Sequence, residues 1–224
     1  MHFSGVVFLS LVIATGVASA QSVDPEIPPR VRALELFRQG SLREAIPELQ
    51  TSLQKNSADA EVRLHLAFAH DRLGSADEAI AEYRRVTELD PSNYFAHNNL
   101  GVLYDKQGRY DEAIAAFDNA IGIDPNNVGA KNNLATARKN KAAVQERQAQ
   151  TEKAENAAAI NPKDPQASFH VARLHAHYGN REAALHWLER ARRQGYKDLA
   201  SVRNDPSFKS LNNDRDFELI LAGK

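Results

Sequence analysis

Residues 94–127, YFAHNNLGVLYDKQGRYDEAIAAFDNAIGIDPNN, decide the fold. The apolar residues recur at helical spacing on both sides of Gly108, which predicts two amphipathic helices joined by a tight turn. Asp124-Pro125 ends the second helix, because a proline cannot continue the helix before it. The stretch therefore predicts one helix–turn–helix unit.

The turn glycine recurs at a fixed spacing. Gly40, Gly74 and Gly108 lie 34 residues apart, and Gly179 lies 71 residues further on. A fixed period of this size predicts stacked helix pairs, in which each turn glycine adopts a positive φ. Residues at constant offsets from the glycines are small, which lets paired helices approach closely: Ala33, Ala67, Gly101 and Ala172 before them, and Ala45, Ala79, Ala113 and Ala184 after them.

These offsets resemble the tetratricopeptide repeat (TPR) family. The residues that carry the resemblance in 94–127 are Leu100-Gly101, Tyr104, Gly108, Tyr110, Ala113, Phe117, Ala120 and Pro125. The resemblance implies an all-α fold, a right-handed α-solenoid of about five helix pairs with a short helical C-terminal cap. The TPR array would cover residues 30–198, in units of about 26–59, 60–93, 94–127, 128–164 and 165–198.

The unit at 128–164 is degenerate. Ala142 replaces the turn glycine, Arg147 stands where a small residue belongs, and residues 145–156 carry few apolar side chains. One interpretation is a long solvated helix with a thin alanine seam, which such composition favours. The other is an insertion that repositions the last helix pair to shape a ligand site.

The last residues, 199–224, depart from the repeat pattern. Asp205-Pro206 predicts a helix start, and the apolar residues that follow can cover the open end of a repeat stack: Phe208, Leu211, Phe217, Ile220 and Leu221. The segment resembles the D-P-x-F…F-x-x-L ending of bacterial TPR arrays, and we expect it to form a cap.

Residues 1–20 form an apolar run that ends in Ala18-Ser19-Ala20, the pattern of a signal-peptidase site. We expect a cleaved signal peptide, a proline-punctuated linker at 21–29, and an exported protein in the periplasm or secreted. The alternative is an uncleaved membrane anchor formed by residues 3–19.

Composition excludes several classes of function. The chain has no cysteine, so disulfides and thiolate chemistry are excluded. Its net charge of −1 does not favour nucleic-acid binding. No phosphate-binding loop, nucleophile elbow or metal-ligand spacing appears, so we expect no enzyme activity, no cofactor, no metal site and no small-molecule substrate.

Candidate recognition residues lie on the first helix of each pair, which lines the concave groove of a TPR array. They are His65, Phe68, Phe95, Asn98, Asn99, Asn132, Asn133 and His170. The asparagines resemble the ladder with which some TPR arrays hold peptide backbones, since an amide offers both a donor and an acceptor. The alternative is that these amides pack against a neighbouring helix.

The carboxylate clamp of chaperone-binding TPR domains is not matched. Its positions fall on Leu64, Phe68, Asn99, Gly129 and Asn133, of which only Asn99 fits. The sequence thus predicts a non-catalytic scaffold or assembly adaptor that binds proteins or extended peptides in the groove. The alternative is a structural or self-associating module of a cell-envelope complex.

Overall fold

The computed structural model describes residues 27–223, and this part of the chain is helical throughout. The predicted signal peptide and residues 21–26 of the predicted linker lie outside the described residues. The helices are α1 (Pro29–Arg38), α2 (Leu42–Lys55), α3 (Ala60–Arg72), α4 (Ala76–Leu89), α5 (Tyr94–Lys106), α6 (Tyr110–Ile123), α7 (Val128–Ile160), α8 (Pro165–His177), α9 (Arg181–Arg193), α10 (Leu199–Val202) and α11 (Arg215–Leu221), with a 3₁₀ helix at Pro206–Leu211 between the last two. The expected all-α fold of repeated helix pairs is confirmed.

The chain divides into two compact units, whose boundary between Glu82 and Tyr83 falls within α4. In the first unit, α1, α2 and α3 enclose a small core of Ala33, Ala45, Leu49, Leu53, Val62 and Leu66. In the second unit, one core cluster joins α8 and α9 to the C-terminal segment, where Phe208 and Phe217 are fully buried. Each core is thin and follows the helix pairs, as in other repeat proteins.

The turn glycines adopt the backbone conformation that the sequence predicted. The φ angle is +78° at Gly40, +85° at Gly74, +74° at Gly108 and +77° at Gly179. At Gly108 the chain reverses with a bond from the Arg109 N–H to the Tyr104 carbonyl, 2.9 Å long. This bond closes the end of the first helix and sets the start of the second.

The small residues permit close helix packing, most clearly between α5 and α6. A methyl group placed on Gly101 would lie 2.5 Å from the ring of Phe117. Non-bonded carbon atoms essentially never approach so closely, so a side chain at position 101 would force the ring of Phe117 to shift. Phe117 is buried by this contact.

The degenerate unit is one continuous helix of 33 residues, α7, and not a helix pair. The backbone has no positive-φ residue at Ala142, so nothing reverses the chain there. Its buried residues are Ala130, Leu134, Ala137, Ala154 and Ala158, which leaves residues 138–153 without a buried side chain. The long, solvated helix with a thin alanine seam is the interpretation that agrees with this finding.

The C-terminal segment is fastened to the start of α9 by Arg181. Its guanidinium bonds to Asp214 Oδ2 at 2.6 Å and to Asp216 Oδ2 at 2.7 Å. The hydrogen bonds from Arg181 also lower the pKa of the Asp214 carboxyl. Asp214 additionally caps α11 by accepting the Asp216 and Phe217 N–H groups.

We predict opposite effects for two alanine substitutions, one in the turn before α6 and one within α6. Gly108→Ala places a side chain at φ +74° and should lower the free energy of unfolding by about 1 kcal/mol. Gly122→Ala lies in the helix, where no heavy atom within 4 Å meets the added methyl group, and should raise it by about 0.5 kcal/mol. Urea denaturation followed by circular dichroism measures both changes.

Equal effects of the two substitutions would show that the turn conformation contributes nothing specific to stability.

Candidate functional site

Five of the sequence-predicted residues of the second unit lie on two helices, α5 and α7. Phe95, Asn98 and Asn99 are in the first turns of α5, and Asn132 and Asn133 are in the first turns of α7. Both helices begin in the same way, since Asn93 caps the Ala96 N–H and Asn127 caps the Ala130 N–H, each at 3.1 Å. The identical caps give the two helices matching starts. We call the surface that they share the α5/α7 face.

Two side-chain bonds tie α5 to α7 along this face. Asn133 Nδ2 donates to Asn98 Oδ1 at 3.2 Å. Asn140 Nδ2 donates to both carboxylate oxygens of Asp105, at 3.1 and 3.2 Å. Each pair joins residues 35 positions apart, so the repeat places the same contact twice, two helical turns apart.

The side chain of Asn99 forms a hydrogen bond to a neighbouring helix. Its Nδ2 donates to the phenol oxygen of Tyr83, on α4, at 3.1 Å. This contact is the kind that the alternative interpretation of the asparagines expected. Asn98 and Asn133 also bond between helices, but each retains polar groups that no described residue binds: the Asn98 NH₂ and the Asn133 Oδ1.

The exposed members of the α5/α7 face are Phe95 and Asn132. Phe95 is 65% exposed, although it is a large apolar residue at the start of a well-packed helix. Its ring lies edge-on to Tyr94, with 5.6 Å between the centroids. Burial, and next the charge of Asp124, raise the pKa of the Tyr94 phenol, so the ring beside Phe95 stays neutral at physiological pH.

His170 is exposed on α8. No hydrogen bond or ring contact within residues 27–223 joins it to the side chains of the α5/α7 face. The predicted groove residues of the second unit therefore separate into a cluster on α5 and α7 and a histidine apart from it.

In the first unit, His65 and Phe68 lie on α3 and both contact Phe37 of α1. The ring centroids of Phe37 and His65 are 4.6 Å apart, and those of Phe37 and Phe68 are 5.5 Å apart. His65 Nδ1 also bonds to the Glu61 carbonyl at 2.7 Å. Sequence reasoning missed Phe37, although its position three residues before Gly40 matches that of Asp105 before Gly108.

Sequence reasoning also missed an open polar cleft of about 630 Å³ between the second half of α7 and the end of α8. In it, His175 Nε2 lies 2.9 Å from Glu155 Oε1, and the Tyr178 hydroxyl donates to Gln150 Oε1 at 2.6 Å. The Arg147 guanidinium lies 5.6 Å from the centre of the Tyr178 ring. These polar groups bond to one another, so the contacts serve to hold α8 on α7.

Within residues 27–223, no three His, Asp or Glu side chains are grouped so that they could hold a metal ion. In the same range, no helix has the length and apolar character needed to cross a membrane.

We predict that the asparagines of α7 separate into structural and solvent-facing residues. Asn140→Ala removes both bonds to the half-buried Asp105 and should lower the free energy of unfolding by about 1–2 kcal/mol. Asn132→Ala, at an exposed position on the same helix, should change it by less than about 0.5 kcal/mol. Thermal denaturation of the two variants makes the comparison.

If Asn132→Ala proves as destabilising as Asn140→Ala, the side chain of Asn132 has a packing role that the structure does not show.

Comparison with known families identifies the central repeats. The family model described as tetratricopeptide repeat matches residues 94–127, and a second described as TPR repeat matches residues 72–108. No curated protein matches the chain.

Several solved structures are similar to parts of the chain. The second TPR domain of human RPAP3, in complex with the HSP70 peptide SGPTIEEVD, is 22% identical over 50% of this chain and 92% of its own, with a TM-score of 0.47. The first TPR of Spaghetti (RPAP3), bound to the HSP90 peptide SRMEEVD, is 21% identical over 55% of this chain and 99% of its own, with a TM-score of 0.49. MamA 41-end from Desulfovibrio magneticus RS-1 is 17% identical over 80% of this chain and 95% of its own, with a TM-score of 0.49.

At these identities and scores the resemblance does not extend to function. The family models, the turn glycines and the close helix packing agree on the nature of the repeat. The chain therefore contains tetratricopeptide repeats, matched directly over residues 72–127.

Proposed function

We propose that the protein is a non-catalytic binding module that holds an extended peptide segment of another protein on the α5/α7 face. The observation that carries the proposal is the exposed ring of Phe95 beside solvent-accessible amides on both helices. An exposed aromatic residue next to fixed polar groups is the composition of a recognition surface.

The amides supply the polar half of this surface. The Asn98 NH₂ can donate to a peptide carbonyl, and the Asn133 Oδ1 can accept from a peptide N–H, so the pair can bond to a backbone without reading its sequence. The existing bond between Asn98 and Asn133 holds both side chains in place before binding. Less conformational entropy is then lost when the peptide arrives.

Phe95 supplies the apolar half. An aromatic ring that is already held at one edge by Tyr94 offers contact area with few rotatable bonds. It selects a peptide that carries an apolar side chain near the backbone segment bound by the amides. The partner class is thus an extended peptide with one apolar anchor.

An acidic chain terminus is not the ligand that we propose. A clamp for a terminal carboxylate needs basic side chains, and the corresponding positions in this chain include Leu64, Phe68 and Gly129. The HSP70 and HSP90 peptides are partners of the RPAP3 domains.

Two further parts of the proposal concern export of the protein and the role of its C-terminal segment. The pattern Ala18-Ser19-Ala20 after an apolar run supports export of the protein to the periplasm or the medium, where it would act as an adaptor. The packing of residues 199–223 on α8 and α9 supports their role as the cap of the array.

We predict that Phe95→Ala weakens peptide binding by about tenfold while the fold is unchanged. Peptides would be selected on the purified protein from a library of random unstructured sequences, and their affinities measured by calorimetry. Ile160→Ala is the matched control, because Ile160 is 78% exposed at the far end of α7 and lies outside the α5/α7 face. Asn132→Ala should cause a smaller loss.

Selected peptides that bind the Phe95→Ala and Ile160→Ala variants equally would overturn the assignment of this face.

We predict that the exported protein begins at Gln21 when it is purified from cells. N-terminal sequencing of the extracytoplasmic fraction would show this cleavage, and a chain lacking residues 1–20 should stay in the cytoplasm. Recovery of the wild-type protein from the cytoplasm with Met1 retained would contradict export.

A further inference from the structure

The polar cleft between α7 and the end of α8 contains hydrogen-bond acceptors that the fold leaves unused. Its volume lies in the range of known ligand sites. Within residues 27–223, no group bonds to the carboxylate of Glu152, and Glu155 uses only Oε1, which faces His175. Asn180 contacts His175 through Nδ2, which leaves its Oδ1 without a partner in the same range. The cleft therefore offers carboxylate and amide oxygens to a ligand that donates hydrogen bonds.

The side chain of His175 fixes the wall from which these oxygens project. Only 7% of the residue is exposed, and each ring nitrogen has a partner. Asn180 Nδ2 lies 3.4 Å from Nδ1 and donates to it, so the neutral ring carries its proton on Nε2. Nε2 then donates to Glu155 Oε1 at 2.9 Å, which holds this carboxylate in one orientation. An acceptor that is already held in place loses little conformational entropy when a ligand binds.

The charges around the cleft favour a cation. Glu152 and Glu155 are one helical turn apart on α7, so both carboxylates lie on the side of the helix that lines the cleft. The cleft also adjoins the end of α8 at His177, where the helix dipole is negative. Among the described lining residues, Arg147 is the one cationic side chain besides histidine, and its guanidinium is drawn to the Tyr178 ring, 5.6 Å from the centre. Two carboxylates against one guanidinium leave the cleft with a negative charge.

We propose that the cleft binds the guanidinium group of an arginine. A guanidinium presents its N–H donors in a rigid planar fork, so it can bond at once to Glu152, to Glu155 Oε2 and to the Asn180 amide oxygen. A lysine ammonium carries its donors on a single atom and reaches fewer acceptors that are set apart from one another. Free arginine and an arginine side chain of a partner protein share this group, and two probes distinguish them.

This site is separate from the α5/α7 face. The peptide proposed for that face contacts Phe95 and the asparagines near the start of α7, whereas the cleft residues lie between Val144 and Asn180. The cleft can bind arginine whether or not the α5/α7 face binds a peptide, so the two proposals can fail independently.

NMR titration of the backbone amide signals of the protein tests the ligand. The probes are free L-arginine and the peptide acetyl-Gly-Arg-Gly-amide, each paired with a form in which citrulline replaces arginine. Citrulline has nearly the same shape but no charge, so its forms should not bind. Tighter binding of the peptide assigns the ligand to a partner protein, and tighter binding of L-arginine assigns it to the free amino acid. Failure of both arginine probes, or equal binding of the citrulline forms, would overturn the proposal.

Substitutions in the cleft test the site with the probe that binds. Glu152→Gln and Glu155→Gln should each weaken binding by about tenfold, because each replaces a charged acceptor by a neutral one of the same size. In Glu155→Gln the amide oxygen can still accept the bond from His175, so the wall of the cleft is preserved. Glu44→Gln, the same change at an exposed position of α2, should have no effect.

Arg147→Gln separates a cation from an anion as the ligand. It removes a positive charge from the cleft and should strengthen binding of the arginine probe by about threefold. An anion would instead depend on Arg147 and lose affinity. Weaker binding of the arginine probe by Arg147→Gln, or unchanged binding by Glu152→Gln, would show that the guanidinium is not held in this cleft.

Discussion

The contact on which the rest of the structure depends is the close approach of two paired helices at a small residue. Gly101 permits Phe117 to lie where a methyl group at position 101 would be only 2.5 Å from its ring. In other units the equivalent position holds a buried alanine: Ala33, Ala67 and Ala172. This contact needs a chain reversal at a fixed distance, which the positive φ of the turn glycine supplies. The repeat period, the turn conformation and the helix packing therefore depend on one another.

Where the reversal is absent, the consequences spread beyond one unit. Ala142 allows the helix to continue, so α7 joins two packed regions that a regular array would separate by a full pair. The extension leaves Ala135 and Ala142 exposed on one side of α7 and a polar cleft on the other. The cleft contains Arg147, Tyr178 and the bonded pair of His175 and Glu155. Both features lie along the helix that continues past Ala142.

The sequence predicted the helix pairs and their turns because backbone conformation is a local property that Gly108 and Pro125 signal directly. It could not predict the partners of Asn98, Asn99 and Asn133, since these depend on how far apart neighbouring helices lie. The polar cleft was missed for the same reason: its residues come from α7 and from the end of α8. The exposure of Phe95 also depends on where the neighbouring helices lie, so helical spacing alone could not predict it.

The middle of α7, which has no buried side chain, has a further consequence for local unfolding of the protein. Between Ala137 and Ala154 no side chain is buried, so this stretch is held by its own backbone hydrogen bonds and by polar contacts such as those of Asn140 with Asp105 and Gln150 with Tyr178. Isolated helix is only marginally stable in water, and such a segment exchanges its amide protons by local opening far more readily than the packed turns beside it. The second unit should therefore contain two cooperative foldons, one ending near Ala137 and one beginning near Ala154, joined by a helix that can melt without unfolding either.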